Sequence, residues 1–99
     1  MKLVWSTFAI ADREQIFEYI ALENPKAAVR CDQEISEQTS RLSGFPDIGR
    51  PGRVEGTREL VIQRTPFVIA YRVSEQDIRI LRILHGAQMW PGTLDSDSD

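Results

Sequence analysis

The sequence predicts an α+β fold: an N-terminal strand and an antiparallel α-helical hairpin packed on one face of a small twisted antiparallel β-sheet. Three observations carry this reading. Residues 50–91 hold three short apolar runs, at 60–62, 67–73 and 78–84, rich in β-branched and aromatic side chains and bounded by turn signals. The connections between the runs are very short, Thr65-Pro66 and Ser74-Glu75-Gln76-Asp77, which favours antiparallel neighbours in a meander. Upstream of them, two stretches carry apolar residues at helical spacing.

Taken in order, Lys2-Leu3-Val4-Trp5 is a strand that joins the sheet as an edge or beside the last strand. Ser6 or Thr7 offers an N-cap. Residues 8–24 then place Ala9, Ile10, Ile16, Phe17, Ile20 and Ala21 in a helix of about four turns. Asn24 is positioned to cap a second helix with Pro25 at its first position. Ala28, Cys31, Ile35, Gln38 and Leu42 follow at spacings of three and four, an apolar stripe interrupted once, at Gln38. That helix is expected to fail at Ser43-Gly44, and the short joint between the helices predicts a hairpin. Residues 45–57 form the longest irregular segment, in which Arg50 and Arg53 flank Pro51-Gly52.

Within the middle run, alternation puts Phe67, Ile69, Tyr71 and Val73 under the helices and Val68, Ala70 and Arg72 on an open face. The last run does not divide so cleanly. Ile78, Ile80, Arg82 and Leu84 would share one face and Arg79, Leu81, Ile83 and His85 the other, with the register left open. The expected core is Ile16, Ile20, Ile35, Leu42, Ile69 and Tyr71.

Ninety-nine residues bound the chain to one domain, residues 1–94, followed by an acidic tail, 95–99, whose Asp/Ser composition predicts disorder. A hydrophobic fraction of 41% excludes disorder of the whole. A single cysteine excludes an internal disulfide. The N-terminus lacks a signal peptide's apolar core, and no apolar run reaches the roughly 20 residues of a membrane span. The expectation is a soluble cytoplasmic protein with no membrane contact. The net charge of −3 is unevenly placed: residues 1–49 hold five basic and eight acidic side chains, whereas residues 50–82 hold seven arginines against four acids. A half that is basic through arginine alone suits partners bearing carboxylates or phosphates.

Nucleotide-binding glycine loops are absent from the sequence, and one Cys and one His cannot build a metal site, so neither metal nor cofactor is expected. Cys31 falls on an apolar stripe and reads as a core residue. His85, the chain's one histidine and so a candidate for moving protons, ends a strand beside Gly86.

The blocks RVEGTREL, PFVIAYRV and IRILRILHGAQMWP, with the opening VWS…A…DREQIFEYIALENPKAA, together resemble the RelE/ParE superfamily of type II toxin–antitoxin toxins across residues 3–91. The resemblance implies the fold already read, a growth-arrest function, and a cognate antitoxin in a hetero-oligomer. It implies two modes of action. RelE-like members cleave mRNA on the ribosome without a metal; ParE-like members poison DNA gyrase. Metal-free cleavage requires a group that moves protons and cations that stabilise the phosphate. In this sequence His85 would be the acid or base, and Arg58, Arg72 and Arg82 would hold the phosphate. Arg50, Arg53, Gln88 and Trp90 would contact a partner or nucleic acid. The ribosome-dependent endoribonuclease is the first reading and the gyrase inhibitor the alternative. A binding module with another target stands third.

Overall fold

The computed structural model describes residues 1–86. The chain opens with β1 (Lys2–Trp5), followed by α1 (Thr7–Ala21) and α2 (Pro25–Ser40), which runs into a single 3₁₀ turn at Arg41–Ser43. A two-residue strand, β2 (Arg50–Pro51), precedes the meander β3 (Arg58–Val61), β4 (Phe67–Val73) and β5 (Asp77–His85). The sheet order is β1-β5-β4-β3-β2.

Local chemistry starts both helices where the sequence places their caps. Ser6 Oγ accepts from the Ala9 N–H at 3.0 Å, and Asn24 Oδ1 from the Ala27 N–H at 3.0 Å, with Pro25 in the first turn. Ser6 is fully buried because it has a second task. Its N–H donates to Ile80 O at 3.0 Å and its hydroxyl to Leu81 O at 2.9 Å, so the start of α1 is stitched to the edge of β5.

The sheet is antiparallel except at one edge. β1 pairs in parallel with the first half of β5, with Trp5 beside Ile80. Parallel neighbours need a long crossover, and the helical hairpin lies between these two strands in sequence. A second departure lies inside β5. Tyr71 stands opposite Ile80, yet Ala70 stands opposite Arg82, so Leu81 is an extra residue in a β-bulge. The bulge resets the alternation. Ile78 and Ile80 face the helices before it; after it Ile83, opposite Ile69, and His85, opposite Phe67, lie on that same side. This is why neither alternating set in the sequence was cleanly polar, and the two sets expected for strict alternation are corrected accordingly.

The core lies between hairpin and sheet. Ile35, Leu42, Ile69 and Tyr71 are fully buried there, with Ala9, Ile62, Ile78 and Ile80. Ile16 and Ile20 are only half buried, and Ile10 and Phe17 point outward, 46% and 37% exposed. The core stripe of α1 is narrower than its apolar composition suggested, because Ile10 and Phe17 each lie one position, about 100°, past it. Cys31 is half buried against the edge of the cluster rather than inside it, and burial with nearby Asp32 and Glu34 pushes its thiol up, away from the reactive thiolate. Gln38, the interruption in the α2 stripe, is buried for a reason. Its amide donates to Gln63 O at 3.0 Å and accepts from the Gln63 N–H at 2.7 Å, taking the place of a neighbouring strand at the β3–β4 turn.

The opposite face of the sheet is not the open surface that its small residues suggested. Val68, Ala70, Leu81 and Leu84 are all at most 4% exposed. Among the described residues, no helix is long and apolar enough to cross a membrane.

Candidate functional site

The face of the sheet away from the helices is organised around Glu59. Its register partner is Ala70 on one side and Arg50 on the other, and only 2% of the residue is exposed. A buried carboxylate needs charged or hydrogen-bonding partners to offset desolvation. Here Oε1 accepts from Arg50 Nη2 at 3.0 Å, and Oε2 from the Arg53 N–H at 3.0 Å, with Arg53 Nε at 3.4 Å. Arg53 then reaches on to Gly86 O at 3.1 Å, crossing β4 toward the end of β5. The segment RPGR therefore wraps one buried acid, with its two arginines on the acid and still partly open to solvent. Arg72 lies further along β4 on the same face, directly opposite Arg79 of β5.

Arg58 belongs to the other side. It is opposite Tyr71 in the register, and its guanidinium donates to Gly49 O at 2.7 Å, with Asp47 Oδ1 at 3.6 Å. This corner is held by Tyr71, whose hydroxyl accepts from the Gly49 N–H at 2.9 Å and donates to Pro46 O at 2.8 Å. Burial pushes the Tyr71 phenol up, so it remains a neutral donor. A Cβ on Gly49 would stand 2.5 Å from the Tyr71 hydroxyl and 2.8 Å from Glu59 O, so only glycine fits.

Arg82 and His85 meet in a third place. They share a groove of about 350 Å³ between α1 and the end of β5, lined also by Asp12, Gln15, Tyr19 and Phe67. Arg82 forms a two-pronged pair with Asp12, Nε to Oδ2 at 2.8 Å and Nη2 to Oδ1 at 3.0 Å, and lies over the Phe8 ring. Asp12 Oδ2 also accepts from the Ile83 N–H at 3.0 Å, covering the β5 edge beyond β1. His85 is exposed and meets Phe67 edge to face, ring centroids 5.9 Å apart.

Of the residues singled out in the sequence, Arg50 and Arg53 come together on Glu59, and Arg82 and His85 share the α1 groove. Arg58 and Arg72 stand on opposite faces. Gln88 and Trp90, like the tail 95–99, lie outside the described residues.

This arrangement has known relatives. Residues 3–90 match the family model of the ParE toxin of type II toxin–antitoxin system, parDE. The chain belongs to that family. It is 38% identical to Y4kP of Sinorhizobium fredii over 94% of this chain and 96% of the relative. It is 34% identical to toxin RelE2 of Caulobacter vibrioides over 89% and 98%. The solved chromosomal ParDE TA system from P. aeruginosa matches with a TM-score of 0.80 at 35% identity, covering 86% of this chain and 95% of that one. The two-helix, five-stranded architecture is thus that of a RelE/ParE superfamily toxin, and membership brings an antitoxin as its partner.

Three functional-site features of the toxin escaped sequence reading. Glu59 sat between Arg58 and Leu60 as one more strand charge. Arg79 was one arginine among seven in the basic half. Asp12 was one acid among the eight of the first half. The signal available for Glu59 was its phase: it alternates with Leu60, which packs against the helical core, and so lies on the opposite face of the sheet. Asp12 and Arg79 left no such mark, since their partners are distant or across a register.

Proposed function

We propose that this toxin arrests growth by binding a target protein, and that DNA gyrase, the target its resemblance to ParE-like toxins implies, is that protein. The observation carrying this reading is the separation of the groups that RNA cleavage would need. Proton transfer and charge stabilisation must act on one phosphate. His85 lies on the helical side of β5, Arg72 on the far face, Arg58 at the Tyr71 corner, and Arg82 in its pair with Asp12. Among the described residues, Arg82 and His85 share one groove, but Arg82 is paired there with Asp12, and Arg58 and Arg72 stand apart from both. The match of residues 3–90 to the ParE toxin model supports the same choice. In this reading residues 1–94 act as one cytoplasmic domain, and the antitoxin holds it in a hetero-oligomer until release.

The test is induction without antitoxin. A gyrase poison should trigger DNA damage signalling and filamentation before protein synthesis falls. Translation stopping first would restore the ribosome-dependent endoribonuclease. His85→Gln separates the same readings. The folded variant should be as toxic as the parent, whereas a general acid or base would lose about 10²–10⁴-fold.

A further inference from the structure

Two arginines share one acid on the far face of the sheet. Arg50 and Arg53 both meet Glu59, so this cluster keeps one net positive charge. Elsewhere in the basic half, Arg58, Arg64 and Arg82 each meet an acid from outside that half: Asp47, Glu34 and Asp12. Arg50 is the more open of the two on Glu59, 57% exposed against 42% for Arg53. Among the described residues it donates through Nη2 alone, to Glu59. A guanidinium carries five N–H donors, so most of this fork is left for an outside acceptor.

Three contacts lead from that guanidinium to the end of β5. Arg50 Nη2 lies 3.0 Å from Glu59 Oε1, Arg53 Nε lies 3.4 Å from Glu59 Oε2, and Arg53 Nη2 donates to Gly86 O at 3.1 Å. Residues 87–99 continue the chain from that carbonyl and include Asp95-Ser96-Asp97-Ser98-Asp99, with a carboxylate at every second position. Asp95 is nine positions beyond Gly86. Nine residues span at most about 30 Å, and a coil of that length averages about 15–18 Å. Three carboxylates are therefore tethered beside the arginine pair at an effective concentration in the millimolar range. Cations elsewhere on the surface, such as Arg30 on α2, have no such tether beside them.

We propose that the acidic tail, residues 95–99, docks on the Arg50–Arg53 pair, with an aspartate carboxylate taking the open side of the Arg50 fork. The two oxygens of a carboxylate match the paired donors of a guanidinium. Glu59 sets the site without filling it: its own oxygens are spent on Arg50 and Arg53, and the residue is buried beneath them. Exposed ion pairs are individually weak, so the contact depends on the tether and falls with salt. Its consequence is a guard. The chain screens its own basic face, and an outside anion has to displace the tail to reach Arg50. The contact stands apart from the reading of the target and holds whichever protein the toxin binds.

The experiment follows the arginine Nε–Hε resonances of the full-length, isotope-labelled chain. It compares the parent with a variant carrying Asp95→Asn, Asp97→Asn and Asp99→Asn. The Arg50 resonance should differ between them at low salt, and the difference should close by about 1 M, where the Debye length is about 3 Å. A free Asp-Ser-Asp-Ser-Asp peptide should bind the variant about tenfold more tightly than the parent, whose own tail competes at millimolar effective concentration. In the variant, Arg50→Lys should weaken peptide binding, because an ammonium does not offer the fork, and Arg30→Gln should change nothing. Identical Arg50 resonances in parent and variant overturn the contact. Equal shifts at Arg30 and Arg50 overturn the site in favour of diffuse attraction. A difference that grows with protein concentration overturns the intramolecular arrangement and gives the tail to a second copy. A folded Arg50→Gln chain that keeps the peptide's full affinity overturns the role of Arg50.

Discussion

On the helical side of β4, Ile69 and Tyr71 are sealed among Ile35, Leu42, Ile62, Ile80 and Ile83. On its other side, Val68 and Ala70 lie beneath charges, with Glu59 tied to Arg50 and Arg53, and Arg72 set against Arg79. Both sides are buried, yet different forces bury them. The helical side is packed by apolar shape, which has no directional requirement and loses stability with any void. The far side relies on charge-assisted hydrogen bonds, which are directional and can be exchanged for a partner's. One sheet therefore divides its labour, with one face holding the fold together and the other carrying polar groups able to recognise something.

That division can be broken most severely from the helical side. Ile69→Ala removes a fully buried side chain and should cost about 2–5 kcal/mol, read as a lower denaturation midpoint at unchanged slope. A cost below about 1 kcal/mol would mean that this face tolerates a void and does not hold the fold together. Glu59→Ala attacks the far side. It deletes an acceptor for two arginines that are themselves 57% and 42% exposed, so no buried charge is stranded. The expected loss is smaller, about 1–3 kcal/mol, and segment 50–53 should become quicker to exchange its amide hydrogens. A loss exceeding that of Ile69→Ala would overturn the ranking of the two faces.

Between these stands the contact joining α2 to the β3–β4 turn. Gln38→Ala removes both bonds to the Gln63 backbone and should cost about 1–2 kcal/mol in urea unfolding. Its neighbour Glu34 predicts the mildest effect, visible only in acid. Hydrogen bonds from Arg64, then from Gln38, hold the Glu34 carboxyl at about 2, below its ordinary 4.5. A lowered carboxylate pKa contributes stability above pH 4.5 that is lost as pH falls toward 2. Glu34→Gln should flatten the fall in melting temperature across that window. An identical acid profile in parent and variant would show that the Arg64–Glu34 pair contributes nothing.

Arg64 itself shows how far local sequence reaches. The Thr65-Pro66 turn signal correctly parted β3 from β4, but not the positive φ of 68° that Arg64 adopts beside it. Nothing in the residue type asks for that conformation; the pair with Glu34, thirty residues away, accompanies it. Gln38 teaches the same lesson, since an interruption in a helical stripe is legible while the backbone that it satisfies is not.

What the sequence determined by itself was set within a few residues: strands from β-branched runs, helix starts from Ser6 and Asn24, the stop near Gly44, and the helical face of β4 from its period of two. These follow from steric and capping preferences that act along the chain. Only the tertiary structure decided the faces of β5. The extra residue at Leu81 turns Ile83 and His85 toward the helices, Arg82 finds Asp12 seventy residues away, and Arg79 is left opposite Arg72. A bulge is chosen by how two strands and a helix fit together. Its energy lies in cross-strand and long-range contacts, which the periodicity of a single strand does not contain.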